Sequence, residues 1–332
     1  MKVTINDVAR EAGVSKSTVS RVISNNERIS KETKDKVNEV IKRLGYKPNL
    51  IARNLAKSKT RTLGVVLPTE ATDYFSNPIY TQIMQGISTF AQENNYYIMY
   101  AFCKEKSEEE NIRDFSSTGV VDGIIMLKSE ENDKTIKYLK KIKFPFVVIG
   151  RPSEENSVLW VDNDNVKSTY ELTNELFEKN FKKIAFISAK ENWIVSKDRL
   201  KGYKEALEKH FIKYDANLIY QGDSFTEGVG YEGMKCILEK ENPQVIITTD
   251  DLLALGVNRY LKEVNINNKI IIGYNNTVLA AYQQPALSSV EIYGEKLGYE
   301  ASKILINSIE GNDNTDNYEI IETRLVKRGL YL

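Results

Sequence analysis

Lys16, Ser17, Ser20 and Arg21 are spaced to share the polar face of one predicted helix, whose other face carries Val19, Val22 and Ile23. These side chains suit nucleic acid better than catalysis. An arginine fork matches guanine O6 and N7, while lysine and serine reach base edges or phosphates. Catalytic sets are scarce by comparison. The only histidine in 332 residues is His210, so a Ser-His-Asp triad has no histidine to spare and no HExxH motif exists. Cys103 and Cys236 alone make neither a disulfide framework nor a zinc site, which favours a reducing cytoplasm and no metal. No GxGxxG or P-loop follows any candidate strand, so no nucleotide cofactor is expected.

The elements that must hold this face are three short helices within residues 1–47. Thr4 and Asp7 fit a capping box ahead of Val8, Ala9 and Ala12, and Gly13 stops the first helix. Ser15 caps the second, and Ser30 begins a third that carries Val37, Val40, Ile41 and Leu44 and ends at Gly45. Two helices parted only by Gly13-Val14-Ser15 are a helix-turn-helix, whose second helix fits a major groove. A three-helix bundle without a nucleic-acid role is the plainer alternative, but it needs neither the tight turn nor the charge found here. Residues 1–61 carry 15 Lys and Arg against 6 Asp and Glu, a net +9; the remainder carries 31 against 40, a net −9. A basic head on an acidic body points to a polyanion at one end.

Residues 48–61 form the next segment. Pro48 can open a helix of about two turns, and Ile51, Ala52 and Leu55 share a face beside Arg53, Lys57 and Lys59. An apolar wedge flanked by cations is the equipment of a minor-groove inserter, although an ordinary linker is the rival reading. The candidate DNA contacts are Thr4, Ser15, Lys16, Ser17, Thr18, Ser20 and Arg21 in the head, with Asn49, Ala52, Arg53 and Leu55 in this segment.

From Thr62 the chain alternates strands and helices. Buried-strand runs occur at 63–67, 97–102, 123–127, 146–149, 184–187, 218–220, 245–248 and 270–272, with amphipathic stretches such as 79–93, 166–179 and 199–209 between them. This is α/β architecture with parallel sheets, and its length favours two lobes. The break is expected near Val158–Asp164. The first lobe then comprises 62–160 with about 292–318, and the second 161–291 with about 319–332, including a terminal strand at 319–326. Hydrophobic residues are 41% and charged residues 28%, which excludes extensive disorder. No apolar run reaches the roughly 18 residues of a spanning helix and no signal-peptide core opens the chain, so a soluble cytoplasmic protein without a membrane partner is expected.

Ligands of open α/β sheets collect beyond the carboxyl ends of the strands. Those ends offer Tyr74, Phe75 and Asn77, then Gly150 and Arg151, in the first lobe. In the second they offer Trp193, Arg199, Phe225, Asp250 with Asp251, and Asn275. Aromatic faces beside Arg, Asp and Asn suit a polyhydroxylated ring. Any one of these residues could be an ordinary loop residue, and Asp251 could cap the helix that begins near Leu252.

The stretch TINDVAREAGVSKSTVSRVI resembles the DNA-binding signature of the lac/galactose repressor family, and KPNLIARNLAKSKT resembles its hinge helix. The resemblance spans essentially the whole chain. It implies a helix-turn-helix head, a hinge helix and a core similar to periplasmic sugar-binding proteins, with three crossovers linking two lobes. It puts Lys16, Ser17 and Arg21 at base-reading positions and Leu55 at the minor-groove lever. KDRLKGY, TTDDLLALG and GYNN put Arg199, Asp250 and Asn275 at effector contacts. The family often has Asn at the position of Ser24 and Asp at that of Asn275. Within it, VVIGRP, VDNDNV and SKDRLKGY are most similar to the maltose-operon repressors of Gram-positive bacteria, which implies maltose or a maltodextrin as effector. Tyr74, Trp193 and Phe225 would then be stacking surfaces.

The implied partners are operator DNA, a sugar and a second copy of the chain. The given sequence holds no leucine-heptad repeat at its C-terminal end, so a tetramerising coiled coil is not expected. A catabolite-control regulator that answers to a phosphorylated carrier protein is the nearest alternative. A glycoside hydrolase would need Asp250 and Asp251 as its acid pair, and adjacent residues rarely straddle a bond. A sugar-binding or transport module leaves residues 1–61 unused. No enzyme activity is expected.

Overall fold

The computed structural model describes residues 3–46, 59–67, 77–102, 107–312 and 316–331. The chain divides between Thr60 and Arg61 into two units.

The first unit is a three-helix head: α1 (Ile5–Ala12), α2 (Lys16–Ile23) and α3 (Lys31–Leu44). Its starts and stops follow local chemistry. Thr4 and Asp7 form the reciprocal capping box, Ser15 and Ser30 accept from the backbone at Thr18 and Thr33, and Gly13 and Gly45 end their helices in the left-handed region. Val8, Ala12, Val19 and Val37 are fully buried at the centre. The Gly13 turn brings α1 and α2 together, and Arg43 closes an exposed ion pair with Glu11 at 2.8 Å.

The second unit contains two six-stranded sheets. In chain order its elements are β1 (Thr62–Leu67), α4 (Pro78–Glu93), β2 (Tyr97–Phe102), α5 (Glu108–Thr118), β3 (Gly123–Met126), α6 (Lys134–Ile142), β4 (Phe146–Ile149), β5 (Leu159–Asn163) and α7 (Asn165–Glu178). There follow β6 (Ile184–Ser188), α8 (Ile194–Lys209), β7 (Ile219–Gln221), α9 (Glu227–Leu238), β8 (Val245–Thr248), α10 (Asp251–Glu263), β9 (Ile270–Tyr274) and the short α11 (Val278–Ala281). The last elements are β10 (Ser288–Glu291), α12 (Gly294–Glu310), β11 (Tyr318–Ile321) and β12 (Arg324–Val326). The first sheet runs β11-β5-β4-β3-β1-β2 and the second β12-β10-β9-β8-β6-β7. All pairings are parallel except β10 with β12.

The chain crosses between lobes three times, after β5, after β10 and after β11. Three sequence expectations change accordingly. Residues 159–163, read as the break, form β5 and pair with β4, because Trp160 and Val161 bury against the first lobe. The terminal strand expected at 319–326 is two strands in two sheets. Tyr318–Ile321 pairs with β5, so those residues belong to the first lobe, and only the following strand returns to the second. Residues 288–291 are a strand that hydropathy did not mark, since Ser288 and Ser289 are polar yet buried. Helix α12 lies in the first lobe, packed on α4.

The α4–α12 packing is unusually close. A Cβ on Gly86 would stand 1.8 Å from the Glu295 carbonyl oxygen, and one on Gly298 would stand 2.0 Å from that of Ile83. Backbone therefore meets backbone where a side chain would hold the helices apart. Gly298→Ala is expected to destabilise the core by about 1–3 kcal/mol through overpacking. An unchanged denaturation midpoint for this variant would contradict that close contact.

Candidate DNA-reading face and ligand cleft

Helix α2 is short, capped and held by Val19 and Val22, which leaves Lys16, Ser17, Ser20 and Arg21 exposed on its outer side. The side chains of Lys16, Ser20 and Arg21 have no hydrogen bond or ion pair among the described residues. The hydroxyls of Ser15, Ser17 and Thr18 cluster at the helix start, with Ser15 Oγ at 2.7 Å from Ser17 and 2.8 Å from Thr18. Hydroxyls and backbone N–H groups at a helix N-terminus are suited to a phosphate. Thr4 plays a different part: its hydroxyl donates to Asp7 at 2.7 Å within the capping box. Asn49, Ala52, Arg53 and Leu55, with the expected hinge helix, lie outside the described residues, as do Tyr74 and Phe75.

The second candidate site is a cleft between the two sheets, with about 770 Å³ of space that includes open solvent at its mouth. Strand ends supply its walls: Lys128 and Ser129 after β3, Gly150 and Arg151 after β4, Asp162 and Asn163 on β5, Thr249 and Asp250 after β8, and Asn275 after β9. Helix starts supply the rest. Trp193 and Phe225 form an aromatic pair with centroids 5.1 Å apart, and the Trp193 indole N–H donates to Glu130 at 3.2 Å. Of the residues nominated from strand ends, Arg151, Trp193, Arg199, Phe225, Asp250 and Asn275 all border this cleft.

Arg199 is held rigidly in the wall. Its Nε donates to Asn165 Oδ1 at 2.8 Å, its Nη1 donates to the Thr249 carbonyl at 2.6 Å, and its guanidinium lies 4.0 Å from the Tyr274 ring centre. Its Nη2 has no partner among the described residues and is available to an acceptor. Burial lowers the affinity of this guanidinium for its proton, against the pull of Asp162 and Asp250.

Asp250 joins the lobes. It caps α10 by accepting from the Leu252 N–H at 2.6 Å, while its other oxygen accepts from Asn275 Nδ2 at 2.7 Å and from Asn77 Nδ2 at 2.8 Å. Asn77 belongs to the first lobe, where it caps α4. Asp251, which the sequence also offered as a cap, accepts from the Thr277 N–H at 2.7 Å and from Ser289 Oγ at 2.7 Å, fastening the loop after β9. The cap falls on Asp250 because it has the extended backbone of an N-cap. Burial pushes Asp250 up to about 6 and Asp251 up to about 7, despite the hydrogen bonds that favour their ionised forms.

Four groups in the cleft escaped sequence reasoning. Asp162 accepts from the backbone N–H groups of Arg151 at 2.9 Å and Asn163 at 2.7 Å, and burial raises it to about 6. Asn163 Nδ2 donates to the carbonyls of Ile292 at 3.1 Å and Ile321 at 2.9 Å, so one amide ties all three crossovers. The strand-end rule would have found both had 159–163 been read as a strand. Ser129 and Thr249, from opposite lobes, bury hydroxyls without a hydrogen-bond partner among the described residues. Such orphans cost stability unless a ligand or water meets them.

Comparison with known proteins decides the family. Residues 4–49 match the model of bacterial regulatory proteins of the lacI family, and residues 173–329 match a periplasmic binding protein-like domain. The HTH-type transcriptional regulator MalR of Streptococcus pneumoniae is 39% identical, over 98% of both chains.

The chain belongs to the lacI family.

It is a DNA-binding transcriptional repressor with the type I periplasmic-binding-protein architecture of that family. Catabolite control protein A of Staphylococcus xylosus is 33% identical over 99% of both chains. A solved transcriptional regulator CelR–cellobiose complex superposes with a TM-score of 0.76 at 28% identity, covering 98% of this chain and 99% of that one. No helix among the described residues is long and apolar enough to cross a membrane.

Arg21→Ala is expected to weaken operator binding by about 1–3 kcal/mol and to relax preference at one base position. Binding measured across an operator library checks this, and uniform weakening would make Arg21 a phosphate contact instead.

Proposed function

We propose that this repressor acts as a homodimer on a pseudo-palindromic operator, and that a neutral α-glucoside, maltose or a maltodextrin, binds between its lobes and releases it. The single observation that carries the reading is the cleft itself. Arg199, Asp250 and Asn275 present a fork of donors and acceptors beside the Trp193–Phe225 aromatic pair, with unsatisfied hydroxyls from Ser129 and Thr249. Sugar C–H faces stack on aromatic rings while the hydroxyls take the polar partners. The similarity to MalR regulators, and to a CelR structure holding the neutral disaccharide cellobiose, supports an oligosaccharide of this class. On this reading Lys16, Ser17, Ser20 and Arg21 face base edges, while Ser15 and Thr18 stand at the phosphates.

Control follows from linkage. A ligand that bridges the lobes favours the closed arrangement, and operator affinity changes only by the ligand's differential binding to the two arrangements. Several contacts already span the cleft besides Asn77–Asp250. Arg151 pairs with Asp198 at 2.5 Å, Lys197 pairs with Glu131, and Glu130 bridges to Trp193. These contacts belong to the closed arrangement that a bridging ligand would favour.

Operator affinity measured with and without maltose tests the proposal. Release by maltose or a maltodextrin is the expected result, and unchanged affinity with every saccharide tried removes the sugar from the mechanism. Acidity gives a second check. Burial in the closed arrangement raises the Asp250 carboxyl from its ordinary value to about 6, so closure takes up a proton that an open, solvated Asp250 would not hold. The closed arrangement is therefore favoured as pH falls through that value and loses this advantage above it. Saccharide affinity is expected to rise about threefold to fivefold between pH 7.5 and 5.5. Calorimetric titration showing a flat profile over this range would separate Asp250 from closure.

A further inference from the structure

Two of the cations that line the cleft among the described residues, Lys128 and Arg151, are each matched by two carboxylates. Lys128, at the end of β3, is half-buried, and its ammonium lies 2.7 Å from Glu130 and 3.2 Å from Glu108. Arg151 reaches Asp198 at 2.5 Å and Glu155 at 3.2 Å. Arg199 has Asp162, Asp250 and Asp198 within electrostatic reach. The lining cations Lys128, Arg151 and Arg199 thus face Glu108, Glu130, Glu155, Asp162, Asp198 and Asp250 among the described residues.

Lys128 is the informative member. A lysine at a cleft wall is the usual anchor for a phosphoryl group, because an ammonium is a compact point charge with three donors. Here two carboxylates from separate elements hold it. Glu108 opens α5, and Glu130 lies in the segment that bridges to Trp193. A phosphoryl group entering the cleft would lose hydration and meet an excess of negative charge, with Lys128 and Arg151 already committed to carboxylates and Arg199 Nη2 flanked by Asp162 and Asp250 among the described residues. An uncharged hydroxyl suffers neither cost, and it can use Arg199 Nη2 and the Ser129 and Thr249 hydroxyls.

We infer that Glu108 and Glu130 are specificity-determining residues: by cancelling Lys128 they make the cleft accept an uncharged saccharide and reject its phosphorylated form. The inference rests on the sugar reading of the cleft for the accepted ligand, while the rejection of phosphate stands on the ion pairs alone. Glu108 acts only through Lys128. Glu130 also accepts from Trp193, so the single variant Glu108→Gln leaves the aromatic wall untouched.

The test is calorimetric titration of the full-length protein with maltose, maltose 6′-phosphate and inorganic phosphate. The wild type should bind maltose at least about a hundredfold more tightly than maltose 6′-phosphate and show no heat with inorganic phosphate. E108Q and E108Q/E130Q should narrow that gap progressively, by about tenfold or more in the double variant. The change must come from tighter binding of the phosphorylated ligand, with inorganic phosphate now bound. Wild-type protein that binds maltose 6′-phosphate as tightly as maltose, or variants whose preference does not move, would overturn the inference. If maltose is silent, yet only the variants bind inorganic phosphate, the charge assignment is supported and the sugar reading alone falls.

Discussion

A buried carboxylate holds the two halves of the receptor in register. Asp250 lies almost out of water, where an unpaired charge would be costly, so the surrounding chain must present donors to it. Leu252 and Asn275 do so from its own lobe and Asn77 does so from the other. The third donor comes from across the cleft, which couples the ionisation and solvation of one side chain to the separation of two lobes. Arg199 reinforces the arrangement, held by Asn165 and the Thr249 carbonyl beside the Tyr274 ring. The polar lining of the cleft and the contact between its lobes therefore share the same atoms.

The hinge between the lobes is equally economical. Asn163, buried on the last residue of β5, reaches the backbone at the two other crossings, so the three connections are fastened together by a single amide. The cleft residues Asp162, Arg199 and Asp250 flank this fastening point. Asp162 in turn receives the Arg151 backbone N–H, which ties the loop after β4 to it.

Charge is distributed by role. The head is strongly basic and leaves Lys16 and Arg21 unpaired among the described residues, as a polyanion-binding face requires. In the cleft the opposite holds, since Lys128 and Arg151 are each met by two carboxylates. The two surfaces share residue types and differ in whether those residues are neutralised. Lysine and arginine counts alone cannot distinguish them.

The sequence by itself determined whatever depends on near neighbours in the chain. Thr4 with Asp7, Ser15, Gly13 and Gly45 set the head's helix ends through hydrogen bonds and backbone angles spanning a few residues, and the α2 polar face follows from helical period alone. Strand-end reading likewise nominated Arg151, Trp193, Arg199, Asp250 and Asn275, because parallel sheets expose ligand residues at one edge. Only the tertiary structure decided matters of long separation. It made 159–163 an inner strand of the first lobe, divided 318–326 between two sheets, and set the α10 cap at Asp250. It also brought Asn77 to Asp250 and Glu108 to Lys128, and left Ser129 and Thr249 without partners. Those outcomes turn on which chain segments meet across the core and how far each polar group is removed from water, and no local pattern records either quantity.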